Sequence, residues 1–168
     1  VVRINYHVLT TLKMEIISHR GYWLKNSEKN SDVAFRRSFS LSFGTETDIR
    51  DFDGELVISH DVANKNCITV EHFFQIYKPI EIQPLLALNI KSDGLQNLLK
   101  KSLKQNNINN YFVFDMSIPD TIIYLKEGMN VFIRQSEYES GTTFYERASG
   151  IWLDAFEDLW YSEELVKK

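Results

Sequence analysis

Polar side chains capable of acid–base and phosphate chemistry punctuate the ends of short apolar runs in the first 91 residues. Ser18-His19-Arg20-Gly21 closes one run, and Ser59-His60-Asp61 closes another. An imidazole exchanges protons near neutral pH. An adjacent arginine offers a planar fork to a phosphate or carboxylate, and a glycine permits a sharp turn or close approach of a ligand to the backbone. Asp61 is placed to fix the tautomer of His60 or to start a helix. Between the two histidines, Thr45-Glu46-Thr47-Asp48-Ile49-Arg50 alternates strictly. A period of two puts Glu46, Asp48 and Arg50 on one face and Thr45, Thr47 and Ile49 on the other. Two buried carboxylates repel and lose hydration unless a cation or a proton stabilises them, and oxygen ligands of this type suit Mg2+ or Ca2+. Leu85 to Lys91 then places Asn89, a neutral oxygen donor, and Lys91, a point charge, on one face near its end. Each fragment alone also suits a plainer reading: a solvated loop at His19-Arg20, or an edge strand with a wet acidic face at Glu46 and Asp48. Together they suit phosphoryl transfer, with cations holding a phosphate while two imidazoles move protons.

Such residues act together only if the chain folds their strand ends to one side. Strands are expected at 14–18, 45–50, 85–91, 111–116, 130–134 and 150–154, with 55–59 returning from a tight Asp53-Gly54 turn. Helical patterns separate them. Ser31 to Phe43 has Ser31 as its cap and Gly44 as its left-handed stop. Thr69 to Tyr77 follows, and Leu95 to Asn106 puts Leu95, Leu98, Leu99 and Leu103 on one face. Pro119 to Glu127 ends at Gly128, Tyr138 to Ala148 has no clear pattern, and another helix is expected to begin within Glu157 to Val166. Strands alternating with helices imply parallel βαβ units in one α/β domain, either an open sheet or a barrel, and active sites collect at the strand C-terminal ends of both. No G-x-G-x-x-G follows the first strand and no Walker A sequence is present, which counts against a nucleotide-binding open sheet. Residues 1–13 are read as a leader or extension, and 14–168 as the domain. Tyr22 and Trp23 suit either substrate contact or packing, while Arg134 and Asp154 end later strands within possible reach of the site.

Composition narrows the class. The 168 residues are 43% hydrophobic and 25% charged, the balance of a globular domain rather than a disordered or fibrous chain. A net charge of −4 with no basic stripe counts against nucleic acid as a partner. The single cysteine, Cys67, excludes an internal disulfide and a multi-cysteine zinc site. No apolar run approaches a membrane span, and no signal peptide is evident, so a cytoplasmic location is expected.

His19-Arg20-Gly21, the Asn26 to Phe35 segment, Glu46-x-Asp48, Asp53-Gly54 and His60-Asp61 resemble the glycerophosphodiester phosphodiesterase family in order and spacing, closely over 15–61 and more loosely over 85–91. The resemblance implies a TIM (β/α)8-type barrel and metal-dependent hydrolysis of a small phosphodiester, releasing an alcohol and glycerol 3-phosphate. It implies His19 and His60 as the acid–base pair, Arg20 and Lys91 as substrate ligands, Glu46, Asp48 and Asn89 as ligands of Mg2+ or Ca2+, and Asp61 as support for His60. Asn89 stands where the family usually carries a third metal-binding glutamate, so weaker metal affinity is expected. That substitution also motivates a second expectation, a catalytically weak relative that binds phosphate or a phospholipid head group; a phospholipase-like enzyme is a third. The segment from Asp61 to Leu85 is shorter than is usual in the family, and the strands counted above number six where a complete barrel has eight. An incomplete barrel lacking its C-terminal strands is therefore expected, with apolar surface exposed near Ile151 to Leu165.

Overall fold

A computed structural model describes residues 14–139, 141 and 143–166, so the reading of 1–13 as a leader lies outside the described residues. Strand β1 (Ile17–His19) leads through a single 3-10 turn at Asn26–Glu28 to helix α1 (Asp32–Ser40). Strand β2 (Gly44–Phe52) turns into β3 (Glu55–Ile58), followed by α2 (Val70–Tyr77), β4 (Leu86–Ile90) and α3 (Gln96–Gln105). Then come β5 (Tyr111–Phe114), α4 (Ile118–Lys126), β6 (Phe132–Gln135), β7 (Gly150–Leu153) and a short α5 (Glu163–Val166). Among the described residues, no helix is long and apolar enough to cross a membrane.

Strands β1, β2, β4 and β5 pair in parallel in that order, and β6 pairs in parallel with β7. A single parallel bridge, Val113 to Val131, links the two groups. The six expected strands therefore follow one another in parallel order. Among the described residues no pairing joins β7 back to β1, and no closed barrel is seen. The β2–β3 hairpin branches from this arc, with Asp53 and Gly54 at φ 51° and 81°, as the primed two-residue turn requires.

The arc has two faces. Outward residues meet the helices in a core that includes Phe35, Phe39, Ile49, Phe73, Leu88 and Leu99. On the inward face, Leu85, Ala87, Phe112, Phe114, Phe132 and Trp152 form a second cluster. Phe112 stacks on Phe132 at 3.8 Å, and Phe114 on Trp152 at 4.1 Å. Gly44 is where the sequence reading fails. It opens β2 with no positive φ, and Ser42 takes the left-handed position, at φ 57°. Glycine is needed there because a Cβ would lie 2.4 Å from the Leu85 carbonyl oxygen of the neighbouring strand. Gly150 is similar, since its Cβ would enter the Phe132 ring.

Other differences are local. Ser31 precedes α1 but makes no side-chain cap; its hydroxyl donates instead to the Glu28 carbonyl. Thr69 does cap α2, accepting from the His72 amide. Leu98 is exposed while Leu95, Leu99 and Leu103 are buried, because the apolar stripe of α3 is narrower than expected. Near the C-terminal end, Ile151, Phe156 and Leu159 are exposed, whereas Trp152 is buried in the inner cluster.

Candidate active site

The apolar inner layer sets a floor, and the polar residues stand above it at the strand ends. Strand β2 carries Glu46 and Asp48 inward with only 2% and 0% exposure. Alternation accounts for this, since Thr45, Thr47 and Ile49 take the other side. The two carboxylates thus lie inside the sheet rather than on a wet edge. Burial, and next the charge of Asp48, raise the Glu46 carboxyl to about 7. Asn89, opposite Asp48 in the register of β4, donates its amide N–H to Glu46 Oε1 at 3.2 Å.

The turn after β1 wraps over this pair. Arg20, at φ 58°, donates its backbone N–H to the Glu46 carbonyl at 3.0 Å and to Glu46 Oε2 at 3.1 Å. Its guanidinium Nε lies 3.2 Å from Asp48 Oδ2. Gly21, at φ 78°, lets the chain turn against α1, where a Cβ would come within 2.8 Å of Ala34 Cβ. The small Ala34 and the glycine together set this approach. Trp23 anchors the turn by donating Nε1–H to the His19 carbonyl, and Lys29 sits over its ring at 4.5 Å. Trp23 thus braces the loop that presents His19. Asn30, also left-handed at φ 55°, donates to Asp48 Oδ2 at 2.8 Å and accepts from the Thr47 hydroxyl at 2.9 Å.

His19 Nε2 is 3.8 Å from Glu46 Oε2, and its side chain is 65% exposed. Desolvation of its inner edge, then the Arg20 cation, hold the imidazole below its ordinary pKa and so neutral at neutral pH. His60 adds the smallest of the charge effects on His19, in the same direction as Arg20. His60 Nδ1–H donates to Asp61 Oδ1 at 2.8 Å, and Arg50 holds the His60 carbonyl at 3.2 Å. Among the described residues, the His60 ring makes no direct hydrogen bond to Glu46, Asp48 or Arg20.

Lys91 completes the group from the end of β4. Its Nζ is 3.7 Å from Asp48 Oδ1 and donates to Asp115 Oδ2 at 2.8 Å. Asp115 in turn accepts from Arg134, which forms a two-point pair with Glu139. The contacts therefore bring His19, Arg20, Glu46, Asp48, Asn89 and Lys91 together. Arg134 joins through Asp115, and the charge of Asp154 is one of those that raise the Arg134 pKa. Sequence reasoning missed Asn30 and Asp115. Asp115 carried a usable signal, a carboxylate directly after the apolar run Tyr111 to Phe114, the same position that drew attention to His19. Asn30 carried none, because only the fold of the turn brings it to Asp48.

Two buried oxygens, Asp48 Oδ1 and Asn89 Oδ1, have no hydrogen-bond partner. Unsatisfied oxygens beside the Glu46 carboxylate fit the donor chemistry of a hard cation. Among the described residues, no three His, Cys, Asp or Glu side chains gather as a metal-holding group, and a cation at this place would meet two carboxylates and the Asn89 amide oxygen. A separate cleft, lined by Met116, Ile118, Phe132 and Phe144, shares Asp115 and Arg134 with the site and lies one strand further round.

No family model matches the sequence, and no curated protein is found similar to it. Solved structures do match. A glycerophosphodiester phosphodiesterase from Parabacteroides distasonis superposes with a TM-score of 0.68 at 17% identity, over 83% of this chain and 72% of that one. A glycerophosphodiester phosphodiesterase from Agrobacterium tumefaciens gives 0.63 at 14% identity, over 83% and 75% of the two chains. At these identities the likeness shows a shared fold.

Proposed function

We propose that the chain belongs to the glycerophosphodiester phosphodiesterase family and hydrolyses a small phosphodiester, with 14–168 as the domain and the parallel arc as part of a (β/α)8-type barrel. One observation carries this reading. A buried carboxylate pair within β2 is ringed by Arg20, Lys91 and the His19 imidazole, with Asp48 Oδ1 and the neighbouring Asn89 Oδ1 left unsatisfied. The likeness to solved phosphodiesterases supports it at the level of fold.

In this reading Glu46, Asp48 and Asn89 hold Mg2+ or Ca2+, which supplies positive charge to the phosphate oxygens when bound. Arg20 and Lys91 bind the same oxygens and withdraw charge from phosphorus. His19, neutral at working pH, takes the proton from an attacking water or substrate hydroxyl. His60, with Nδ1 fixed by Asp61, uses Nε2 to protonate the bridging oxygen of the leaving alcohol. The cleft beside Asp115 and Arg134 accommodates the alcohol half of the diester.

Glycerophosphocholine and an activated aryl phosphodiester, each assayed with Mg2+ or Ca2+, test this. Turnover that requires the ion and releases glycerol 3-phosphate from the former is expected. A second reading, a phosphate-binding relative without turnover, is favoured by Asn89 and by the two cations already facing Asp48. Inorganic phosphate bound in the absence of any hydrolysis would establish that alternative, and release of fatty acyl glycerol from a phospholipid would identify the phospholipase-like variant.

A further inference from the structure

We propose that Asp115 is the positioning residue of Lys91, holding its ammonium at the phosphate site and off Asp48; this rests on the functional reading above. Strand alternation alone does not bring Asp115 there. Phe112 and Phe114 face inward from β5, so the next residue of a regular strand would face the helices. Asp115 instead adopts φ 73°, and this left-handed backbone breaks the alternation and turns its carboxylate back to the inner, Lys91 side. Its two oxygens are then divided: Oδ2 accepts from Lys91 Nζ at 2.8 Å, and Oδ1 accepts from Arg134. Arg134 is held in turn by Glu139, which fixes the orientation of the Asp115 carboxylate. The Lys91 ammonium has Asp48 Oδ1 as its other anion, at 3.7 Å. Without Asp115, that ammonium would move onto Asp48. It would leave the phosphate site and compete with a divalent ion for an oxygen that is otherwise unsatisfied.

Asp115→Gly and Asp115→Asn test this. Glycine adopts φ 73° without strain, so the first variant removes the carboxylate while easing the backbone. Each is expected to raise KM for the diester about tenfold and to raise the divalent-ion concentration needed for half-maximal activity, with kcat changed far less. Asp115→Gly is expected to add almost nothing to Lys91→Met, because the pair acts as one unit. A merely structural Asp115 would give additive losses in that double variant and a lowered melting temperature with KM unchanged, and either result overturns the proposal. An inactive wild-type protein overturns the functional reading and this one with it. An active wild type whose Asp115→Gly variant keeps its KM overturns this proposal alone.

Discussion

Glu46 shows how burial turns one carboxyl group into a sensor of its surroundings. Its pKa is raised to about 7 by desolvation and then by Asp48, against an ordinary value of 4.5. The folded state therefore holds a proton that the unfolded chain releases above its ordinary range. The metal-free protein should lose stability as pH rises from about 4.5 to about 7 and level off beyond, by on the order of 3 kcal/mol. Thermal melts across that window should show the decline, and Glu46→Gln should flatten it. A divalent ion should oppose the decline by favouring the ionised form, so Mg2+ or Ca2+ should raise the melting temperature more at pH 8 than at pH 5. Asn89→Glu tests the same site from the other side. A third carboxylate should tighten divalent binding at least tenfold in titration calorimetry, while metal-free stability falls through added repulsion. Most of these residues were legible before folding, because the histidines directly follow apolar runs and the period of two puts Glu46 with Asp48, and Asn89 with Lys91, on one face. Asn30 was not legible, since its contact with Asp48 spans 18 positions and depends on a left-handed turn that no local pattern announces.

At the scale of elements, alternation and turn chemistry were the reliable signals. The Glu46-x-Asp48 strand has the faces its period requires, and Asp53-Gly54 makes the hairpin its residue types favour. Glycine was read less well. Gly44 has the look of a helix stop, but its role is set by Leu85, 41 residues away in the chain and adjacent only across the sheet. Long-range crowding of this kind leaves no mark in a single sequence. Gly44→Ala should therefore cost roughly 1–3 kcal/mol by forcing β2 from β4, seen as a lower urea midpoint with an unchanged slope. Gly54→Ala should cost less, because only the backbone conformation is disturbed and nothing lies within 4 Å of the added methyl. Leu98 teaches the complementary lesson, since a leucine at helical spacing still faces solvent when the stripe it extends is wider than the surface it packs on.

For the molecule as a whole, the inner aromatic layer and the polar rim divide the labour. Phe112, Phe114, Phe132 and Trp152 fill the inner side of the arc and remain buried although, among the described residues, no strand pairing closes it. That floor excludes water from beneath Glu46 and Asp48, and the low polarity strengthens every charge interaction above it. The parallel order of six strands was legible from the βα alternation, and the strand count raised the expectation of an unclosed arc; among the described residues no β7–β1 pairing is seen. The central claim is that two imidazoles on this rim exchange protons with a bound phosphodiester. Its most direct test is steady-state hydrolysis of one diester by His19→Ala and His60→Ala beside the wild type, with circular dichroism confirming that both variants fold. The account predicts that each loses at least about a hundredfold in kcat, and that the double variant is little worse than either. Turnover unchanged in both single variants would contradict it.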